Sequence, residues 1–271
     1  MRGADAKMAA TAHRRGGILR LVTRRRFLTA AAALTTGCAG RGMSASAPEG
    51  GESHVRGPAV DQFWRYARHD YFTGLVIDTQ TDRVSAVGQV IEVASTSDSG
   101  NGRPAVNGSW GGPWLQQYLG ASRTSGPLPS EMQAPWGMVL VDPHWDEIQL
   151  YERPIPLWPM ELRPGWSVTV NTQYKTPESP DELPWQLTMH AHRWEPIAVP
   201  AGRFLTLRYT NLINFRFTNV SERVAAQRQE NIWFAPEIGR WVARESIGTF
   251  YQDVGERFHE TSYRSELLEW K

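Results

Sequence analysis

Cysteine is nearly missing from this chain: Cys38 is the single thiol among 271 residues. No intrachain disulfide can form, so the fold must rest on its core alone. Long apolar runs are missing too. The weakly apolar stretch over residues 27–34 falls far below the roughly 20 residues that a bilayer-spanning helix needs. No G-x-S-x-G elbow occurs, so a serine hydrolase of the common type has no support. Gly100-Asn101-Gly102-Arg103-Pro104 lacks the lysine, the third glycine and the following helix of a phosphate loop. No second ligand pair at fixed spacing accompanies the histidines, and no cofactor is expected.

Net charge is also small, at +1, but it is unevenly distributed. Residues 1–38 hold 8 of the 29 Lys and Arg and 1 of the 28 Asp and Glu. Residues 39–271 therefore carry 21 basic and 27 acidic side chains, a net charge of −6. A body of that sign has no general attraction for nucleic acid or anionic lipid.

The basic N-terminal part reads as an address. Thr23-Arg24-Arg25-Arg26-Phe27-Leu28-Thr29 matches the twin-arginine export pattern S/T-R-R-x-F-L-K in all but the last position, with Arg24, Arg25, Phe27 and Leu28 in the key places. Thr35-Thr36-Gly37-Cys38 resembles a lipobox, although Thr35 stands where Leu is usual. Acylation of Cys38 would supply about 0.8 kcal/mol of membrane affinity per buried CH₂. Ala39 after the cysteine favours the outer membrane, which places the chain in the bacterial envelope on the periplasmic side. Met8 is an alternative start. Residues 39–58 are rich in Gly, Ser, Ala, Pro and Glu and read as a flexible tether of about 25 Å r.m.s. length. The expected organisation is a signal over 1–38, a tether over 39–58 and one β domain over 59–271, with two diverged β units (about 59–150 and 151–271) as a variant.

What the chain does have is β pattern and tryptophan. Residues 194–245 hold two turn signals, Pro200-Ala201-Gly202 and Pro236-Glu237-Ile238-Gly239, each between β-rich runs. Leu205, Leu207 and Tyr209 alternate with Thr206, Arg208 and Thr210, the period of two of a half-buried strand. The prediction is an all-β fold: an antiparallel meander of hairpins forming a strongly curved sheet, open barrel or sandwich with long loops. Further strands are predicted over 135–141, 147–152, 166–173 and 185–194. In the last, Leu187, Met189, Ala191 and Arg193 share one face and Thr188, His190, His192 and Trp194 the other. Runs 72–78 and 83–95 are predicted to form a hairpin around a turn at Thr79-Gln80-Thr81-Asp82. Pro154, Pro156 and Pro159 argue against a central strand nearby. Residues 95–132, 176–184 and 219–229 read as loops, with a single helical turn capped by Ser221 as the alternative in the last, and 258–270 as one or two β segments, with a helix over 263–270 as the alternative.

V-P-A-G-x-F followed by W-F-A-P-E-I-G-R-W-V resembles an uncharacterised bacterial envelope family, domain of unknown function 3108. Pro164-Gly165-Trp166 and the run Asp61-Gln62-Phe63-Trp64-Arg65-Tyr66 with Tyr71-Phe72-Thr73-Gly74-Leu75 extend the likeness, which covers residues 61–96 and 160–247. The resemblance implies a fold and an envelope location. It carries over no catalytic residue.

The 12 Trp are unusual for this length: some must fill a core, but that many also makes Trp166, Trp185, Trp194, Trp233 and Trp241 candidates for a ligand cleft or interface. Trp110, Trp114 and Tyr118 lie in the predicted long loop. His190 and His192, two apart on a strand, point the same way and suit a metal only with a third ligand from His144, Asp146, Glu147 or His259. Asp142, Asp146 and Glu147 are candidates for acid–base work, although carboxylates on a turn are usually solvated. Arg208, Arg216, Arg240 and Arg244 read as ion-paired residues on a solvated face. Two functions follow: a non-enzymatic envelope protein binding an apolar ligand or a partner protein, or a periplasmic metal-assisted hydrolase.

Overall fold

A computed structural model describes residues 54–97, 131–145, 148–177, 179–219, 222–251, 257–259 and 262–271. These residues form β1 (Phe63–Asp70), β2 (Val76–Val87), β3 (Ile91–Ser97), β4 (Glu131–Gln133), β5 (Met138–Asp142), β6 (Gln149–Pro156), β7 (Ser167–Thr176), β8 (Ser179–Val199), β9 (Gly202–Asn219), β10 (Glu222–Ala235), β11 (Arg240–Tyr251), β12 (Arg257–His259) and β13 (Tyr263–Trp270). No α-helix occurs among the described residues; one 3-10 turn covers Pro236–Ile238. Strands neighbour one another in the order β10-β9-β8-β7-β6-β5-β4-β3-β2-β1-β13-β11, and β10 pairs with β11. Twelve antiparallel strands thus close into a barrel, with β12 attached to β11. The predicted all-β class holds, and of the predicted forms it is a barrel, fully closed.

Alternating strand direction gives the barrel two ends. The entry end holds residues 54–62, the β4–β5 turn, the β6–β7 connection, and the turns at Pro200-Ala201 and Pro236–Gly239. The far end holds the β1–β2 turn at residues 71–75. Aromatic side chains fill the entry end. Trp158 stacks on Phe234 at 4.9 Å and meets Trp136 edge-on at 5.3 Å. The incoming chain clasps this end: Arg56 N donates to Pro236 O at 2.8 Å, and Trp136 Nε1 donates to Arg56 O at 3.1 Å. Gln62 Nε2 and Trp64 Nε1 both donate to Ile238 O.

The predicted meander over residues 194–245 is present as β8 to β11. Both turn signals act as expected. Gly202 has φ +137° and Gly239 φ +66°, conformations in which a side chain is strained. A Cβ on Gly239 would also stand 2.6 Å from Arg56 O.

Several predicted details are corrected. Thr79-Gln80-Thr81-Asp82 is not a turn but the middle of β2, paired with β1 on one side and β3 on the other. Asp82 looked like a turn residue because it is charged; it is buried at 0% exposure, where an arginine neutralises it. Pro154 and Pro156 lie within β6. They are tolerated because β6 pairs with β7 only at Leu150 and Tyr151, so the missing N–H groups fall where that ladder has already stopped. Arg153 N, beyond the ladder, donates to Thr172 Oγ1 instead. The loop predicted over 176–184 is a tight β7–β8 hairpin, with Leu183 and Pro184 in β8. The loop predicted over 219–229 is largely β10. Its Ala, Gln and Arg residues have modest β preference, but pairing with both β9 and β11 overrides it.

One correction changes a face. A register shift between Ala191 and Arg193 reverses the alternation in β8. Trp194 therefore points inward with Leu187, Met189 and Ala191, and Arg193 points out. The boundary considered near residues 150 and 151 falls inside β6. Residues 1–53 and 98–130 lie outside the described residues, and with them the export signal, Cys38, Trp110, Trp114 and Tyr118.

Candidate functional site

Arg240 opens β11 directly after Gly239, and the left-handed glycine turns its side chain into the barrel. At 1% exposure the guanidinium meets two carboxylates from the opposite wall. Nη1 lies 2.8 Å from Glu131 Oε1, and Nη2 lies 3.1 Å from Glu131 Oε2 and 3.2 Å from Asp82 Oδ2. Ser95 Oγ and Gln80 Nε2 donate to Asp82 Oδ1 at 2.6 and 2.8 Å. Gln133 Nε2 donates to Glu131 at 2.6 Å, while its oxygen accepts from Gly137 N. The Trp64 ring lies 5.3 Å from the guanidinium.

The network continues along the barrel. His144 Nδ1 is 3.7 Å from Glu131 and 2.9 Å from Asp142. Trp145 Nε1 donates to Asp142 at 3.0 Å. Arg244 pairs with Glu230 at 2.5 Å, and Asn211 Nδ2 donates to Glu230 at 3.2 Å. Asp82, Glu131, Asp142 and Glu230 thus face two guanidiniums and one imidazole, so the cluster is balanced best with His144 protonated.

The proton affinities follow. Burial works against a charged His144, but the Asp142 hydrogen bond and charge, helped by Asp82 and Glu131, outweigh it and raise its pKa. Burial would raise Asp82, yet Arg240 and then His144 bring it below the usual carboxylate range. Asp142 is lowered against its burial by His144. Burial raises the Tyr66 and Tyr151 hydroxyls far out of the titrating range, so neither serves as a base near neutrality.

Beside the network lies a cavity of about 40 Å³, lined by Asp142, Trp185, Asn211, Glu230 and Arg244 among others. Asn211 Oδ1, Arg244 Nε and Trp185 Nε1 are buried without a protein partner. A space of that size suits a few waters and excludes an acyl chain. Among the described residues, the interior around this cavity is packed with aromatic side chains and lined by buried charge.

The predicted site residues distribute as follows. Trp166, Trp185, Trp194, Trp233 and Trp241 are all buried, at 9% exposure or less. Trp185 packs against Trp145, Tyr151, Tyr174 and Phe215. Trp241 stacks on Tyr66 at 3.7 Å. His190 and His192 sit together on the outer wall, rings 4.7 Å apart, with His192 Nε2 3.0 Å from Thr210 Oγ1. His144 faces the interior network instead, so it cannot join them as a third ligand. Asp146 and Glu147 lie outside the described residues. Asp142 is not a solvated turn carboxylate but part of the network. Arg240 and Arg244 are likewise not on a solvated face; Arg216 is exposed, and Arg208 lies over Trp233 at 5.4 Å.

Sequence reasoning missed the most unusual surface. At the far end Tyr71, Phe72, Leu75, Val76 and Ile77 are 44–84% exposed around the β1–β2 turn. Asp70 orders this turn: its Oδ1 accepts from Phe72 N, Thr73 N and Thr73 Oγ1, and Gly74 takes φ +69°. Beside it lies a hollow of about 450 Å³ lined by His69, Asp70, Tyr71, Gly74, Glu245, Arg264 and Glu266. The signal available was an apolar pair on each side of Thr73-Gly74, where a turn normally carries polar residues.

No family model matches the chain, and no curated protein matches it. Two solved structures are similar. One is a candidate lipoprotein from Parabacteroides distasonis, 14% identical, aligned over 82% of this chain and 100% of that one with a TM-score of 0.44. The other is a candidate exported protein with a YmcC-like fold from Bacteroides fragilis, 13% identical, aligned over 80% and 99% with a TM-score of 0.43.

Proposed function

We propose that this chain is an exported bacterial envelope protein, held at the periplasmic face of the outer membrane by an acylated Cys38, and that it docks a partner protein rather than catalysing a reaction. The observation that carries the docking role is the ordered, apolar β1–β2 tip at the barrel end opposite the point where the chain enters. Contiguous exposed apolar surface on an otherwise polar domain marks an interaction site. The cavity among the described interior residues supports a partner protein over an enclosed apolar ligand, because about 40 Å³ is too small for a lipid. The twin-arginine and lipobox patterns, and the resemblance of residues 61–96 and 160–247 to the envelope family, support the address. A barrel that spans the membrane is disfavoured by its outer wall, where Thr169, Asn171, His190 and Gln227 are exposed in place of an apolar band.

The test places a photo-activated cross-linking residue at Phe72, or at Met160 on the entry end, in the full chain expressed in its cells. The expected result is a membrane-associated protein with one discrete adduct from Phe72, none from Met160, and none from Phe72 when Leu75→Asp is added. Equal adducts at both positions would overturn docking at the tip. Membrane association that survives Cys38→Ser would overturn the acyl anchor.

A further inference from the structure

The outer wall of the barrel carries a feature that docking at the tip does not use. Asn171 in β7, Gln186 in β8, Asn214 in β9 and Gln227 in β10 stand opposite one another in register. They are bonded head to tail across four strands. Gln227 Nε2 donates to Asn214 Oδ1 at 2.9 Å, Asn214 Nδ2 to Gln186 Oε1 at 3.3 Å, and Gln186 Nε2 to Asn171 Oδ1 at 2.9 Å. All four side chains reach solvent.

An amide has two N–H donors and two lone pairs. Inside the row each inner amide donates one N–H to one neighbour and accepts with one lone pair from the other. Gln186 and Asn214, the inner two, therefore each keep one N–H and one lone pair for solvent. The bonds also fix the planes of the amides and polarise them in one direction. The free groups recur at about 4.8 Å, the strand spacing, over about 14 Å. Thr169 and Thr188 form the same kind of pair one step along the strands, with hydroxyls 3.1 Å apart. Leu212, 38% exposed, lies beside Thr188 and offers an apolar spot within the polar array.

We propose that this wall is a binding surface for a neutral glycan. A vicinal diol presents a donor and an acceptor side by side, which is the arrangement that each inner amide leaves open. The C–H face of a pyranose would cover Leu212. The charge of the surface selects for neutrality. The amide and threonine rows themselves contain no ionisable group, and the nearest ones on this face, Arg216 beyond Asn214 in β9 and His190 beyond Thr188 in β8, stand one step outside them, so the rows offer a phosphate, carboxylate or ammonium no counter-charge of their own. Neutral amides are also less costly to desolvate than charged side chains. The preorganised row lowers the ordering cost that flexible Asn and Gln side chains normally impose on binding.

The test uses the purified full chain with Cys38→Ser on an array of neutral and acidic bacterial glycans, followed by titration of each binder while the side-chain amide signals of the protein are observed by NMR. The expected result is binding of neutral glycans, shifts confined to the amides of Asn171, Gln186, Asn214 and Gln227, and a loss of about tenfold in affinity for Gln186→Glu, as for one broken hydrogen-bonding pair. Asn171→Asp at the end of the row is the second variant, and an unchanged melting temperature for either shows that the loss is not one of folding. Phe72→Asp at the tip leaves glycan affinity unchanged, which separates this surface from the docking site. Binding of no neutral glycan, a preference for acidic glycans, or full affinity in both row variants would each overturn the proposal.

Discussion

The barrel has a long wall and a short wall. β8, β9 and β10 run 21, 18 and 14 residues, whereas β3, β4, β5 and β6 run 7, 3, 5 and 8. In the long wall β9 and β10 pair in unbroken register from Glu222 to Phe234, and from Leu207 to Phe215 the side chains of β9 alternate between the core and the outer face. The short wall has a register shift in β4–β5 and another in β5–β6, and its joint to β7 is two residue pairs. Strand length cannot hold it. It is held from within, because Glu131 of β4 and Asp82 of neighbouring β2 reach across to Arg240 of β11, and His144 and Asp142 extend the same network from the end of β5. A closed sheet can thus stabilise one side by its ladder and the other by buried charge.

The largest test of this difference is Arg240→Ala. It leaves Glu131 and Asp82 buried without their counter-charge, and a loss of about 3–5 kcal/mol is expected in urea unfolding. Hydrogen exchange on the same variant should rise first in β3 to β5, with β8 to β10 protected. Uniform acceleration would mean the two walls are not held separately. A smaller effect is expected at the clasp. Gly239→Ala combines a left-handed φ with a contact to Arg56 O and should destabilise by about 2 kcal/mol. Gly202→Val, at the turn entering β9, should cost about 1 kcal/mol or more. An unchanged melting temperature in either would remove that turn from the account.

The smallest effect is a pH dependence carried by the short wall. The pKa of His144 is raised on folding, so its contribution is complete below its unfolded value of about 6.5 and is lost as pH rises through the folded value. Asp82 and Asp142 are lowered, so theirs is present above about 3.9 and is lost as pH falls through the folded values. Stability from this network should be greatest between about pH 4 and pH 6.5. Melting temperatures of His144→Gln should fall less than those of the parent as pH rises from the acid side of that window to alkaline values. Parallel curves for the two proteins would exclude His144 from the balance.

The long wall was the legible part of the chain. Its turns carry Pro and Gly at Pro200, Gly202, Pro236 and Gly239, and Leu207 with Tyr209 shows the period of two. In the short wall the strands predicted over 135–141 and 147–152 are present as β5 and β6, but its buried charges were not legible, for physical reasons. A charged residue facing inward has the same identity as one facing out, so Asp82 passed for a turn residue and Arg240 for a surface ion pair. Their partners are 158 and 109 residues away along the chain, beyond any local pattern. Trp194 was placed on the wrong face because the bulge before Arg193 has no glycine to announce it. The apolar tip at Phe72 was read only as part of a motif, since exposure depends on what the rest of the fold leaves uncovered.

The pairing of Trp64 with Trp270 has a consequence for how the protein is made. The ring is completed by joining β1 to β13, the first described strand to the last, so a ribosome releases nearly all of the described sheet before the circle can be fastened. Until then β1 and β11 each carry a raw edge able to pair with a stranger. Contacts of such wide sequence separation also form slowly. On the proposed export of this chain, a cell must therefore either wait for the ring to fasten and carry it over whole, or thread it across open and let the two edges find each other on the other side.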